Sequence, residues 1–202
     1  MSSGILLALD LSTTMTGYSC FNISTKKLAK FGTLKPIVKN AHKMRYPEAA
    51  YYRIKDMSVK VRDLVKDKDP DIIVIEEVNR GISRIGQKTL DGLHFFVLDL
   101  LIQLDPKLAK KIVYVDSNGK KGWRGYLGLK LSTSDKENNK KARGSKKKKA
   151  NKNLHVVDWK VLAERYVNTC FSLKFDVIKN PGDNDIVDSI ALGHAYLTKI
   201  LK

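Results

Sequence analysis

The sequence predicts one α/β domain, a five-stranded mixed sheet flanked by helices, and three observations carry that prediction. Short strand-like segments separated by turn residues open the chain, a continuously apolar run lies near its middle, and segments of helical periodicity surround the remaining strand. At 202 residues and 43% hydrophobic, the chain can bury one sizeable core and is too short for two ordinary enzyme domains. Residues 1–202 are therefore read as a single domain.

Residues 5–11 (ILLALDL) and 16–23 (TGYSCFNI) read as two strands joined by a turn rich in Ser and Thr, and residues 28–34 add a third, giving an antiparallel meander. From about Arg45 to Val65, Ile54, Met57, Val61, Leu64 and Val65 recur at helical spacing, and Pro70 marks the exit. IIVIEEV (72–78) is apolar up to its two glutamates, the pattern of a central strand covered on both faces. A second helix, about Gln87 to Leu104, is apolar nearly all round from Leu93 onward, more than one sheet face requires, so it is also a candidate to pack on another chain. KIVYVD (111–116) is the last strand, and residues 155–169 and 183–201 are the closing helices.

Residues 119–153 stand apart. They hold 11 Lys and 2 Arg against 2 acids, a net of +11 out of +17 for the chain. The second half of this segment, rich in Lys, Asn, Ser and Gly, carries too little apolar surface to offset the entropy of ordering and is expected to be a flexible insertion.

The excess of 38 Lys and Arg over 21 Asp and Glu attracts polyanions, either nucleic acid or an anionic membrane. No uninterrupted apolar run approaches the ~20 residues of a membrane span, and HFFVLDLLIQL is broken by Asp99. The opening MSSGILLALDL lacks the basic region of a secretory signal, so a cytoplasmic protein is expected. Cys20 and Cys170 lack metal-binding spacing and are read as reduced, small core residues.

Asp10 ends the first strand where another apolar side chain would ordinarily follow; it either accepts hydrogen bonds from the TTMTG turn or belongs to a site. Strand alternation sends Glu76 and Glu77 to opposite faces, so only one can join Asp10. Glu76 shares the face of Ile72 and Val74, where a charge is costly unless paired or bound to a cation, which leaves Glu77 as the solvated or salt-bridged one; alternatively, both simply lie beyond the sheet edge in water. In NPGDNDIVDSIALGHAYL, Asp183 is the expected N-cap of a helix, while Asp185 and Asp188, three apart, share one face near the positive end of the dipole. Acids there can simply favour the dipole. Four carboxylates gathered at strand ends would instead repel strongly, and hard cations such as magnesium relieve that repulsion. The chemistry this suits is two-metal phosphodiester hydrolysis, with the ions about 3.5–4 Å apart.

The segments ALDLSTTMTGYSCF, IIVIEEV and GDNDIVDSIALGHAYL together resemble, in order and spacing, the three acidic motifs of RuvC-type Holliday junction resolvases, members of the RNase H-like superfamily. The resemblance covers about residues 4–118 and 154–201. It implies an RNase H-like fold in which Asp10, Glu76, Asp185 and Asp188 are both the catalytic residues and the ligands of two Mg2+ ions, with Mn2+ able to substitute. It further implies a crossover junction endonuclease that leaves 5′-phosphate nicks in branched DNA, and a homodimer formed through the apolar helix at about 87–104. Departures point to a divergent, phage-like member acting in a bacterial or phage-infected cell. Leu11 and Ser12 stand where the family often has Pro and Gly, Asn79 replaces a junction-stacking aromatic, and the lysine-rich insertion exceeds the compact bacterial pattern.

KKGWRGYLGLK (120–130) mixes Lys120, Lys121 and Arg124 with Trp123 and Tyr126, a composition suited to phosphate contact and base stacking. Family position favours Lys120 or Lys121 near the scissile phosphate. Alternatively, Trp123, Tyr126 and Leu127 form a short packed helix beneath solvated lysines. Lys146, Lys147, Lys148, Lys149 and Lys152 are expected to tether DNA nonspecifically, raising affinity and salt sensitivity. His42, His94, His155 and His194 lack the spacing of metal ligands.

Three other functions remain open on the sequence. A non-catalytic branched-DNA-binding protein would keep fold and charge, yet the four acids are intact. DLSTTMTGYS is also similar to the first phosphate loop of sugar kinases and actin-like proteins, but those need two such domains. An RNase H-like nuclease acting on forks, flaps or RNA–DNA hybrids would use the same acids.

Overall fold

The computed structural model describes residues 4–77, 83–144 and 154–201. Five strands form one sheet: β1 (Ile5–Asp10), β2 (Thr16–Asn22), β3 (Leu28–Leu34), β4 (Ile72–Glu76) and β5 (Ile112–Val115), in the order β3-β2-β1-β4-β5. The β1–β2–β3 meander is antiparallel, whereas β4 and β5 run parallel to β1. This is the mixed sheet expected from the sequence. The turn after β1 is closed by Ser12 and Thr16, whose backbone and hydroxyl groups exchange hydrogen bonds of 3.1 and 3.0 Å.

Alternation along β1 and β4 divides the core in two. Leu7, Leu9, Ile73 and Ile75 pack on α1 (Glu48–Lys68) and α2 (Arg84–Leu104), while Leu6, Ala8 and Val74 face α5 (Trp159–Phe171) and α6 (Asp183–Ala195). Both inner strands are therefore apolar on both sides, which is why IIVIEEV lacks a polar alternation. Helix α1 buries Ile54, Met57, Val61 and Val65, and it ends where Asp69 adopts a left-handed conformation just before Pro70. A π-helical turn, Tyr196–Ile200, follows α6 where the sequence suggested a continuous helix.

Two more helices lie within the lysine-rich segment, α3 (Trp123–Tyr126) and α4 (Thr133–Arg143). Helix α4 begins with a capping box in which Ser132 and Asp135 satisfy each other's backbone N–H groups. It is fixed to the strand-like stretch before α5 by Asn139, whose amide exchanges two 2.7 Å hydrogen bonds with the Val157 backbone. Residues 145–153, which include Lys146, Lys147, Lys148, Lys149 and Lys152, lie outside the described residues, as does Asn79.

Two readings are corrected. Gly182, not Asp183, is the N-cap of α6; Asp183 sits in the first turn and accepts a 3.3 Å hydrogen bond from the Asp176 N–H. Cys20 is buried as expected, but Cys170 is exposed, because it lies on the outer face of α5. Among the described residues no helix is long and apolar enough to cross a membrane.

Candidate active site

The parallel pairing of β1 and β4 aligns Leu9 with Ile75, so Asp10 and Glu76, next along each strand, end the two central strands side by side. By alternation Asp10 continues the face of Leu6 and Ala8, and Glu76 that of Ile72 and Val74, so both carboxylates emerge under α6. Asp185 and Asp188 lie on that helix.

Helix α6 comes close to the sheet because two glycines make room. Gly17, the strand partner of Asp10, lies so near α6 that an added Cβ would stand 1.8 Å from the Asp185 carbonyl oxygen. Further along, a Cβ on Gly193 would meet Phe21 at 2.6 Å. The helix is also tied down by Ser19, whose buried hydroxyl donates to the Ser189 carbonyl across 2.8 Å. These contacts set the distance between the helix acids and the strand acids.

The electrostatics show that the four acids share one environment. Burial raises the Asp10 carboxyl well above the usual range, and the charges of Glu76, Asp188 and Asp185 push it further, with Arg124 opposing. Burial likewise lifts Asp188 to about 7, reinforced by Glu76 and Asp185 and countered by Arg124 and Lys160. Glu76 is raised by burial against the opposing pull of Arg124 and of hydrogen bonds from Ser117 and Trp123. Asp185 is raised by burial, with Asn184 and Lys160 acting the other way.

Two residues of α3 complete the pocket. Trp123 is fully buried, and its indole N–H donates to Glu76 Oε2 across 3.1 Å. This rules out base stacking by Trp123 and agrees with the packed-helix alternative for Trp123, whereas Tyr126 is exposed and Leu127 only partly buried. Arg124, expected on DNA phosphate, has Nη2 3.8 Å from Glu76 Oε1 and 3.5 Å from Asp188 Oδ2, while its guanidinium lies 4.6 Å from the Trp123 ring centroid. It thereby offsets part of the repulsion between the acids. Neither role follows from composition; only the position of WR just beyond β5, the neighbour of Glu76's strand, offers a signal. Lys120 and Lys121 are exposed on the loop leading from β5 into α3, at the same end of the sheet.

The donor set suits a hard divalent cation: all four side chains offer carboxylate oxygens, and the buried Asp188 Oδ1 has no hydrogen-bond partner. Among the described residues no three acid, His or Cys side chains are drawn together tightly enough to enclose an ion, consistent with Arg124 lying between Glu76 and Asp188.

The arrangement defines a class: an RNase H-like α/β domain whose acids meet where β1, β4 and α6 converge. Comparison with solved structures agrees. The chain superposes on Thermus thermophilus RuvC in complex with a Holliday junction substrate with a TM-score of 0.52 and 12% identity, covering 96% of this chain and 92% of that one. Fowlpox virus resolvase in complex with Holliday junction DNA gives 0.51 at 14% identity, covering 98% and 99%. The yeast mitochondrial Holliday junction resolvase gives 0.50 at 13%, covering 96% and 79%. No family model matches the sequence, and no curated protein matches it. The chain thus has the fold of the RuvC-type, RNase H-like resolvases.

Proposed function

We propose that this chain is a magnesium-dependent crossover junction endonuclease that nicks branched DNA, above all four-way junctions, to leave 5′ phosphates. The observation that carries the reading is the gathering of half-buried Asp10 and Glu76, at the ends of β1 and β4, with buried Asp188 of α6, in mutual repulsion. Such an arrangement is costly to folding, and cation binding relieves it. The net charge of +17 and the fold shared with proteins solved on Holliday junctions support DNA as substrate.

Asp10, Glu76, Asp185 and Asp188 would hold two Mg2+ ions, or Mn2+ in their place. Bound there, the ions supply an activated water and stabilise the leaving 3′ oxygen. The protein's own part is geometric. Gly17 and Gly193 let α6 bring its two acids to the strand acids, and the Trp123 N–H fixes one oxygen of Glu76. Arg124, engaged with Glu76 and Asp188, balances charge and would turn toward a phosphate, while the exposed Lys120 and Lys121 would approach the DNA backbone from the rim. A homodimer through α2 would present two such sites; Phe95 is 72% exposed on that helix, and Phe96, Ile102 and Leu104 are exposed beside it. Tethering by Lys146, Lys147, Lys148, Lys149 and Lys152 would add nonspecific affinity.

The test is cleavage of end-labelled synthetic four-way junction, fork, RNA–DNA hybrid and linear duplex, with Mg2+ and with a chelator. Junction nicking that needs Mg2+, and an Asp10→Asn variant that binds junctions without cutting them, are the expected results. Preferential cutting of the hybrid or fork would reassign the substrate, and wild-type cutting by Asp10→Asn would overturn the site.

A further inference from the structure

A groove of about 550 Å3 separates α4 from the start of α5, away from the four acids. Lys136, Lys140 and Arg143 line one side of it, spaced i, i+4 and i+7 and so lying on one face of α4. On the other side stands Trp159, the first residue of α5, 51% exposed. At the start of a helix, Trp159 leaves half of a large aromatic open to solvent beside three cations.

The acids nearby do not neutralise this wall. Asp158 is the cap of α5, its Oδ1 accepting from the Lys160 and Val161 N–H groups at 3.0 and 3.2 Å. Asp135 is held by Arg165 at 2.7 Å. Because Asn139 clamps α4 to Val157, both walls keep their spacing.

We infer that the α4–α5 groove binds an unpaired DNA strand, with Lys136, Lys140 and Arg143 on its phosphates and Trp159 stacked on an exposed base. Cations that track a backbone beside an aromatic platform are the chemistry of single-strand binding, and a paired duplex offers the indole no free base face. Where a branch carries unpaired bases, Trp159 offers them an open aromatic face. This inference rests on the junction-nuclease reading above and names where that substrate is gripped.

The chain holds two tryptophans, Trp123 fully buried and Trp159 half exposed, so the part of the emission change on DNA binding that Trp159→Phe abolishes reports Trp159. The full chain is titrated, in chelator, with a four-way junction carrying unpaired thymines at the crossover, with a thymine single strand and with a fully paired duplex. Quenching by the first two and little by the duplex is expected. Trp159→Phe keeps affinity but loses the quenching, whereas Trp159→Ala weakens junction binding about 10-fold or more. The triple variant Lys136→Ala, Lys140→Ala, Arg143→Ala lowers the slope of log affinity against log salt by about 2. All variants are checked for an unchanged melting temperature. Equal quenching by duplex, or wild-type affinity in Trp159→Ala, overturns the inference. If junctions are nicked with Mg2+ while either of these results holds, the groove alone is wrong; if junctions are neither bound nor nicked, the functional reading falls with it.

Discussion

The indole N–H of Trp123 donates to Glu76 Oε2 across 3.1 Å, joining a helix from the basic segment to a carboxylate at the end of the central strand. The bond orients one oxygen and leaves the other toward Arg124. Trp123→Phe keeps most of the packing and removes the donor. We expect kcat for junction nicking to fall roughly 10-fold, with junction affinity in chelator unchanged, because one hydrogen bond to a charged group is worth about 1.5–3 kcal/mol. Equal rates for variant and wild type would show that the bond only packs.

Arg124 compensates charge between two buried acids, with its side chain 18% exposed against 15% for Glu76 and 7% for Asp188. Arg124→Gln leaves these carboxylates facing one another. The metal-free variant should melt roughly 5 °C lower than wild type, given about 2–4 °C per kcal/mol for a domain of this size. Added Mg2+ should restore more stability to the variant than to wild type, which differential scanning calorimetry in chelator and in Mg2+ measures.

The raised carboxyls of Asp10 and Asp188 give stability a defined pH dependence. A folded-state value above the unfolded one means that the folded chain binds more protons, so this contribution is present at low pH and lost as pH rises through about 7, where Asp188 ionises. In chelator, the melting temperature should therefore decline between pH 5 and pH 8, and Asp188→Asn should flatten that decline. Cation binding runs the other way: the Mg2+ concentration for half-maximal nicking should rise as pH drops below 7.

Phe95 is 72% exposed on α2 and contributes little to the core of a single chain. Phe95→Asp should convert a sedimenting dimer to a monomer without lowering its melting temperature. A wild-type chain that sediments as a monomer at micromolar concentration would remove the dimer from the proposal.

The sheet was legible because its strands carry their burial in their pattern: IIVIEEV is apolar on both faces since both are covered, and Asp10 and Glu76 interrupt runs that had no other reason to stop. Strand alternation was enough to choose Glu76 over Glu77. Helix α4 was hidden because a mean composition dominated by Lys outweighs a local cap, although Ser132 and Asp135 spell one. The places of Trp123 and Arg124 were hidden for a different cause. They depend on the pairing of β5 with β4, a contact between distant segments that no local window contains. The helix start at Gly182 shows the limit of capping rules, since an Asp one residue inside the helix satisfies the dipole as well as a cap would.

The close seat of α6 on Gly17 has a consequence for how the protein comes into being. Asp10 is made early and Asp188 late, and neither can hold an ion alone. A growing chain therefore carries its basic, DNA-attracting segment before it owns a complete set of acids. If the four acids act as proposed, cutting would begin only when α6 docks on the finished sheet, a long-range closure of the kind that forms slowly. On the proposed function, the order of synthesis would hold back cleavage until folding is done.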